Sequence, residues 1–225
     1  MRKVQSRNEG NNEVCRSPRQ MERYMGKIVY LMGKSSTGKD TIYKRLLADA
    51  ELAFKTIIPY TTRPIRDGES DGREYFFTSE QEYHRLKNQG KIIEDRTYNT
   101  CHGLWRYFTV DDDQMSRQND NCLMIGTLES YLQLKDYFGA DKMIPIMIEL
   151  DDGIRLQRAL QRELEQDTPK YEEMCRRFLA DSADFAEEKI SAAGITARFQ
   201  NNDLESCLKE IRVYIVGQLG SIKQA

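Results

Sequence analysis

The chain has 225 residues, of which 39% are hydrophobic and 31% charged. That is enough apolar material for one α/β domain with a sizeable core and too much for a disordered chain. Its 34 Lys+Arg against 36 Asp+Glu leave a net charge of −2, which argues against a nucleic-acid or membrane-surface protein, so any anionic ligand must be caught by a local Arg/Lys cluster.

Residues 1–24 are polar and without periodicity, and read as a mobile extension ahead of one domain over 25–220. Ile28 to Met32 is a short apolar run ended by glycine, the pattern of a buried parallel strand. Thr41 to Leu52 has helical spacing, and Phe54 to Pro59 is a second strand candidate. Residues 59–118 are richer in Gly, Arg, Asp and aromatics and read as a lobe inserted into a core of 25–58 and 119–220. Cys122–Ile125 and Met143–Leu150 are two more buried strands, with a helix near Leu128–Phe138 between them. Residues 152–192 are helical and strongly charged, Arg198–Phe199 is a weak last strand, and Leu204–Leu219 a closing helix. Strands alternating with helices predict a mostly parallel sheet with helices on both faces. The five cysteines show no CxxC pair or metal spacing and read as reduced thiols in a cytosolic protein. No apolar run approaches the roughly 20 residues that span a bilayer, and the N-terminus lacks the apolar core of a signal peptide.

The stretch that carries chemistry first is Gly33, Lys34, Ser35, Ser36, Thr37, Gly38, Lys39, Asp40 and Thr41. It matches G-x-x-x-x-G-K between a strand and a helix, with Asp40 where Ser or Thr is usual. Glycines let the backbone curl so that N–H groups converge on phosphate, the helix N-terminus adds partial positive charge, and Lys39 can reach the β- and γ-phosphates of ATP. A carboxylate beside phosphates needs a cation between them. Asp40 thus reads either as a Mg²⁺ ligand, with Thr41 supplying the hydroxyl one position later, or as a cap of the helix N-terminus.

The second stretch runs from Thr61 to Phe77 and contains Arg63, Arg66 and Tyr75. Two arginines three apart can fork around one phosphate monoester, and Tyr75 can add a hydroxyl donor. Together the two stretches resemble the guanylate kinase family over roughly residues 26–217. The resemblance implies a P-loop three-layer α/β/α fold and ATP-dependent phosphoryl transfer, with Mg²⁺, to a nucleoside monophosphate, GMP first. Carried over residue by residue, it makes Arg63, Arg66 and Tyr75 ligands of the acceptor phosphate. Glu94 becomes the acid that accepts from guanine N1–H and N2–H₂, with Tyr107 and Thr109 beside it. It implies a lid over about 155–178 that brings Arg158, Arg162 and Arg177 to the transferring group, and it places Asn201 and Asp203 on the adenine side. His102 and Trp105 read as packing or capping residues.

The chain departs from that pattern in three places. Pro59 stands where the family has a serine, and Met124 and Gly126 stand where it has two acids. Ribose 1,5-bisphosphate phosphokinases are similar proteins that share Gly-Lys-Asp in the loop and lack those acids, which leaves another phosphorylated acceptor open. A non-catalytic phosphopeptide-binding module of the same fold is the third reading, opposed by Gly38, Lys39 and the lid arginines.

Overall fold

A computed structural model describes residues 26–66, 68–100, 103–116 and 120–220; the extension assigned to 1–24, and His102, lie outside them. Strand β1, Ile28–Met32, is buried at every position. It sits at the centre of a five-stranded parallel sheet of order β2-β7-β1-β8-β9, where β2 is Lys55–Thr56, β7 Cys122–Gly126, β8 Met143–Glu149 and β9 Arg198–Gln200. A strand covered on both faces needs apolar residues throughout, which is why the run shows no alternation.

The alternation appears in what each side chain touches. Ile28, Tyr30 and Met32 pack on one face with Leu128, Tyr131 and Leu134 of α3, Leu128–Phe138, and with Ile190 of α6, Glu187–Ala192. Val29 and Leu31 pack on the other with Ile42 and Leu46 of α1, Lys39–Leu47, and with Cys207, Ile211 and Ile215 of α7, Leu204–Leu219. The result is the three-layer α/β/α arrangement the sequence predicts.

Three elements are shorter than expected. Helix α1 ends at Leu47 because the Asp49 side chain accepts from the amides of Glu51 and Leu52, offering the backbone a turn in place of another helical bond. Strand β2 stops at Thr56: the Ile58 amide turns to Gln114 Oε1 at 2.8 Å, and Pro59 has no N–H for a ladder. The charged segment breaks into α4, Asp152–Leu164, α5, Tyr171–Asp184, and α6. Pro169 sits in the first break, where it disfavours helix in the residue before it.

Residues 60–110 build a second sheet of order β4-β3-β6-β5: β3 is Tyr60–Thr61, β4 Phe76–Phe77, β5 Ile92–Thr100 and β6 Gly103–Val110. Helix α2, Glu80–Asn88, is capped by the Ser79 side chain and packs Tyr83 and Leu86 against Phe108 and Val110.

Candidate active site

The loop between β1 and α1 leaves the sheet at the carboxyl end of its central strand, where ligands of open α/β sheets sit. Ser36 and Gly38 take positive φ, 67° and 87°. The Thr37 hydroxyl donates to the Lys34 carbonyl at 2.9 Å, closing the turn. Gly38 is the N-cap of α1 and the helix has no side-chain cap, so Asp40 is not the cap; it lies exposed in the first turn with Oδ2 3.5 Å from Lys39 Nζ. A β-carbon on Gly38 would run into Asn201 Nδ2, and one on Gly33 into the Ile148 carbonyl. Gly38→Ala is therefore expected to weaken nucleotide binding at least about tenfold and to lower Tm, since the added methyl meets both a left-handed φ and the amide that braces the loop. Titration with ATP and a melting curve check both.

That amide changes the reading of Asn201. It is 3% exposed and donates from Nδ2 to the Thr37 carbonyl at 2.7 Å, with its own N–H on the Glu149 carbonyl. The side chain expected beside the adenine thus braces the phosphate loop through Nδ2, while its Oδ1 is buried without a partner. Asp203 caps α7, accepting from the Ser206 amide at 2.9 Å.

Helix α4 brings arginines to the loop. Arg162 donates to Ser36 Oγ at 2.5 Å, and Arg158 Nη1 approaches the space above Gly38. The third is Arg155, fully buried, which the expected set left out. Its Nε donates to the Ser35 carbonyl at 2.8 Å, and its fork pairs with Asp152 and with Asp181 of α5. Asp181 also accepts from the Ser35 amide at 2.6 Å. One buried guanidinium thus ties α4 and α5 to the loop. Arg177 is not brought there; it pairs at 2.9 Å with Glu173 on the exposed side of α5.

In the second sheet a bulge between Ile92 and Glu94 turns two consecutive residues, Ile93 and Glu94, inward. From Glu94 onward alternation sends Arg96 to the same face. The antiparallel register sets Thr109 opposite Glu94 and Tyr107 opposite Arg96. Glu94 is 2% exposed; its carboxylate accepts from Thr109 Oγ1 at 3.0 Å and from Arg96 Nε at 3.2 Å. Burial pushes the Glu94 carboxyl above the ordinary carboxylate range, against the pull of the Arg96 charge.

Tyr107 meets Tyr75 edge-on at 5.5 Å, and Arg63 lies 5.0 Å from the Tyr75 ring centre. Arg63 is 3% exposed and forks onto Glu69 at 2.5 and 2.7 Å, which holds the Glu69 carboxyl below its ordinary range. Its Nε is buried without a partner. Arg66 places its guanidinium 6.0 Å from the Trp105 ring and its amide on Glu69. Arg63, Arg66, Tyr75, Glu94, Tyr107 and Thr109 therefore share one cluster, to which the structure adds Glu69 and Arg96. The i, i+2 spacing of Glu94 and Arg96 on a strand was the signal for the latter.

The missing acids have a local explanation. A β-carbon on Gly126 would collide with the Tyr30 hydroxyl, which is bonded to Ser130 Oγ and donates to the Thr127 carbonyl. Tyr30 of β1 fills the space into which a side chain at 126 would project, while Met124 is buried in the core.

The guanylate kinase family model matches residues 25–217. This chain belongs to the guanylate kinase family. It is 29% identical to the guanylate kinase of Porphyromonas gingivalis, over 84% of this chain and 95% of that protein. It is 28% identical to the guanylate kinase of Caldanaerobacter subterraneus subsp. tengcongensis, over 86% and 88%. The crystal structure of guanylate kinase from Anaplasma phagocytophilum superposes with a TM-score of 0.57 at 21% identity, covering 89% of this chain and 90% of that one, a likeness of fold.

Proposed function

We propose that the protein transfers the γ-phosphoryl group of ATP to GMP, giving ADP and GDP. The observation that carries this reading is the continuous row from Arg63 through Tyr75, Tyr107 and Arg96 to the buried Glu94. It offers cations and hydroxyls for a phosphate at one end and a carboxylate for two amide-type donors at the other. β1 links the two halves of the site: Tyr30 reaches the acceptor cluster, and three residues later the same strand opens into the phosphate loop at Gly33.

Phosphoryl transfer asks the protein for position and charge, not for covalent chemistry. In this reading residues 59–118 form the acceptor lobe on a core of 25–58 and 119–220, with a lid over about 155–178. The loop amides from Ser36 to Asp40 and the Lys39 ammonium hold the β- and γ-phosphates, and Arg158 and Arg162 stabilise charge on the equatorial oxygens. Arg177 joins them only by leaving Glu173 as the lid closes. Arg63, Arg66 and Tyr75 hold the acceptor phosphate in line; the unpartnered Arg63 Nε supports this, since a buried guanidine N–H with no acceptor is built for a ligand. The base ring lies toward Glu94, Tyr107 and Thr109.

Asp40 and Thr41 would hold a Mg²⁺ ion bound with ATP. Its fit rests on the exposed Asp40 carboxylate and the adjacent Thr41 hydroxyl at the start of α1, hard oxygen donors that suit an ion keeping several waters and holding mainly to phosphate. The ion neutralises phosphate charge when bound. Among the described residues no helix is long and apolar enough to cross a membrane, and the cytoplasm, where thiols stay reduced, suits the free thiols of Cys122, Cys175 and Cys207.

The test is a panel of acceptors (GMP, dGMP, AMP, UMP and ribose 1,5-bisphosphate) with ATP and Mg²⁺. GMP is expected to give the highest kcat/KM; turnover of the sugar bisphosphate with GMP inert would overturn the guanine reading while leaving a kinase. Within that assay Arg66→Ala is expected to raise the GMP KM about tenfold or more with ATP affinity unchanged, because the side chain holds little else in place. Arg63→Ala should do the same and also lower Tm, because it strands the Glu69 carboxylate. A fall in ATP affinity in either variant would mean they serve the other substrate.

A further inference from the structure

The base end of the acceptor site carries a largely buried cation beside Glu94. Arg96 sits with 11% of its side chain exposed, its Nε on Glu94 and its Nη1 3.3 Å from Thr127 Oγ1. The Tyr107 ring centre is 5.9 Å away. These contacts hold the guanidinium plane beside the carboxylate, so a planar ligand on this face meets an acceptor and a donor side by side. A carboxylate can accept about four hydrogen bonds, and those from Thr109 and Arg96 leave Glu94 able to take two more.

A buried purine carbonyl needs a donor. Pro59 offers no side-chain donor, and Gly126 offers no side chain. The Thr109 hydroxyl is turned to Glu94 and the Tyr30 hydroxyl to Thr127 and Ser130. Arg96 remains. We infer that Arg96 is a specificity-determining residue that donates to the 6-oxo group of the acceptor purine while Glu94 accepts from N1–H, so that the pair selects 6-oxopurine nucleoside monophosphates. A 6-aminopurine presents the opposite pattern, an acceptor to the carboxylate and a donor to the guanidinium. This inference rests on the GMP-kinase reading above and adds the residue that reads the carbonyl.

The experiment compares GMP with 6-thio-GMP, which keeps N1–H and replaces the 6-oxygen by sulfur, a weak acceptor. kcat and KM are measured for wild type, Arg96→Met, Arg96→Gln and Arg96→Lys. Wild type should prefer GMP by about tenfold or more in kcat/KM, and R96M should lose about 10- to 100-fold with GMP, mostly in KM, and much less with the thio analogue, so that the preference collapses. R96K, which keeps a charge for Glu94 without the fixed fork, should recover part of the GMP activity and part of the preference. The readout is a ratio on one preparation, so a variant that folds only in part still reports. If Arg96 merely held Glu94 in place, both nucleotides would lose equally in R96M and R96K would restore both; either equal losses or an unchanged ratio overturns the inference. Wild type inert toward both nucleotides but active on ribose 1,5-bisphosphate would instead remove the GMP reading on which it stands.

Discussion

Lys39→Ala is expected to lower kcat by about 10²–10³, the effect of removing one preorganised charge from a developing phosphoryl transition state, while Tm stays within about two degrees. The side chain starts at the first residue of α1, and its nearest charged partner is the exposed Asp40 at 3.5 Å, so no buried ion pair is lost with it. Steady-state assay with saturating GMP and a thermal melt of the same sample check the two halves. Transfer surviving within about tenfold of wild type would remove the phosphate-loop mechanism. A large loss of both activity and Tm would instead make Lys39 part of the scaffold.

The largest effect on stability is expected at Arg155. Its guanidinium is buried, lies 4.8 Å from the Phe178 ring centre, and satisfies the Ser35 carbonyl and the carboxylates of Asp152 and Asp181. Arg155→Met keeps the volume and strands those groups. Removing one partner of a buried pair costs about 3–5 kcal/mol, and the half-exposed Asp152 can turn to water, which favours the lower end. For a chain of this size about 3 kcal/mol corresponds to a Tm lower by about 6–12 °C. Asp181→Ala alone should cost less, and the double variant should cost less than the sum of the two, the mark of direct coupling. Because Asp181 also accepts from the Ser35 amide, both variants should loosen the phosphate loop and raise the ATP KM. An unchanged ATP KM beside a lowered Tm would confine the network to holding α4 and α5 together.

The division between what the chain states openly and what folding assembles follows from sequence distance. The strand at Ile28–Met32, the loop from Gly33 to Thr41, the helix after it and the grouping of Arg63, Arg66 and Tyr75 were legible because each is local: glycine positions, an apolar run and a spacing of three between arginines need no long-range information. The layered α/β/α fold was legible for the same reason, since alternating apolar strands and amphipathic helices have few ways to bury both faces of a sheet. Element ends were not, because Asp49 and Gln114 competed for backbone donors through side-chain hydrogen bonds. Tertiary structure alone decided the rest. It joined Tyr30 to the space at Gly126, Arg155 to Ser35 and Asp181, and Asn201 to Thr37, pairs far apart in the chain. A polar side chain in a sequence carries no sign of which buried partner it will meet. Burial is costly enough that, once the sheet sets the distances, these polar groups must pair with one another or with a ligand.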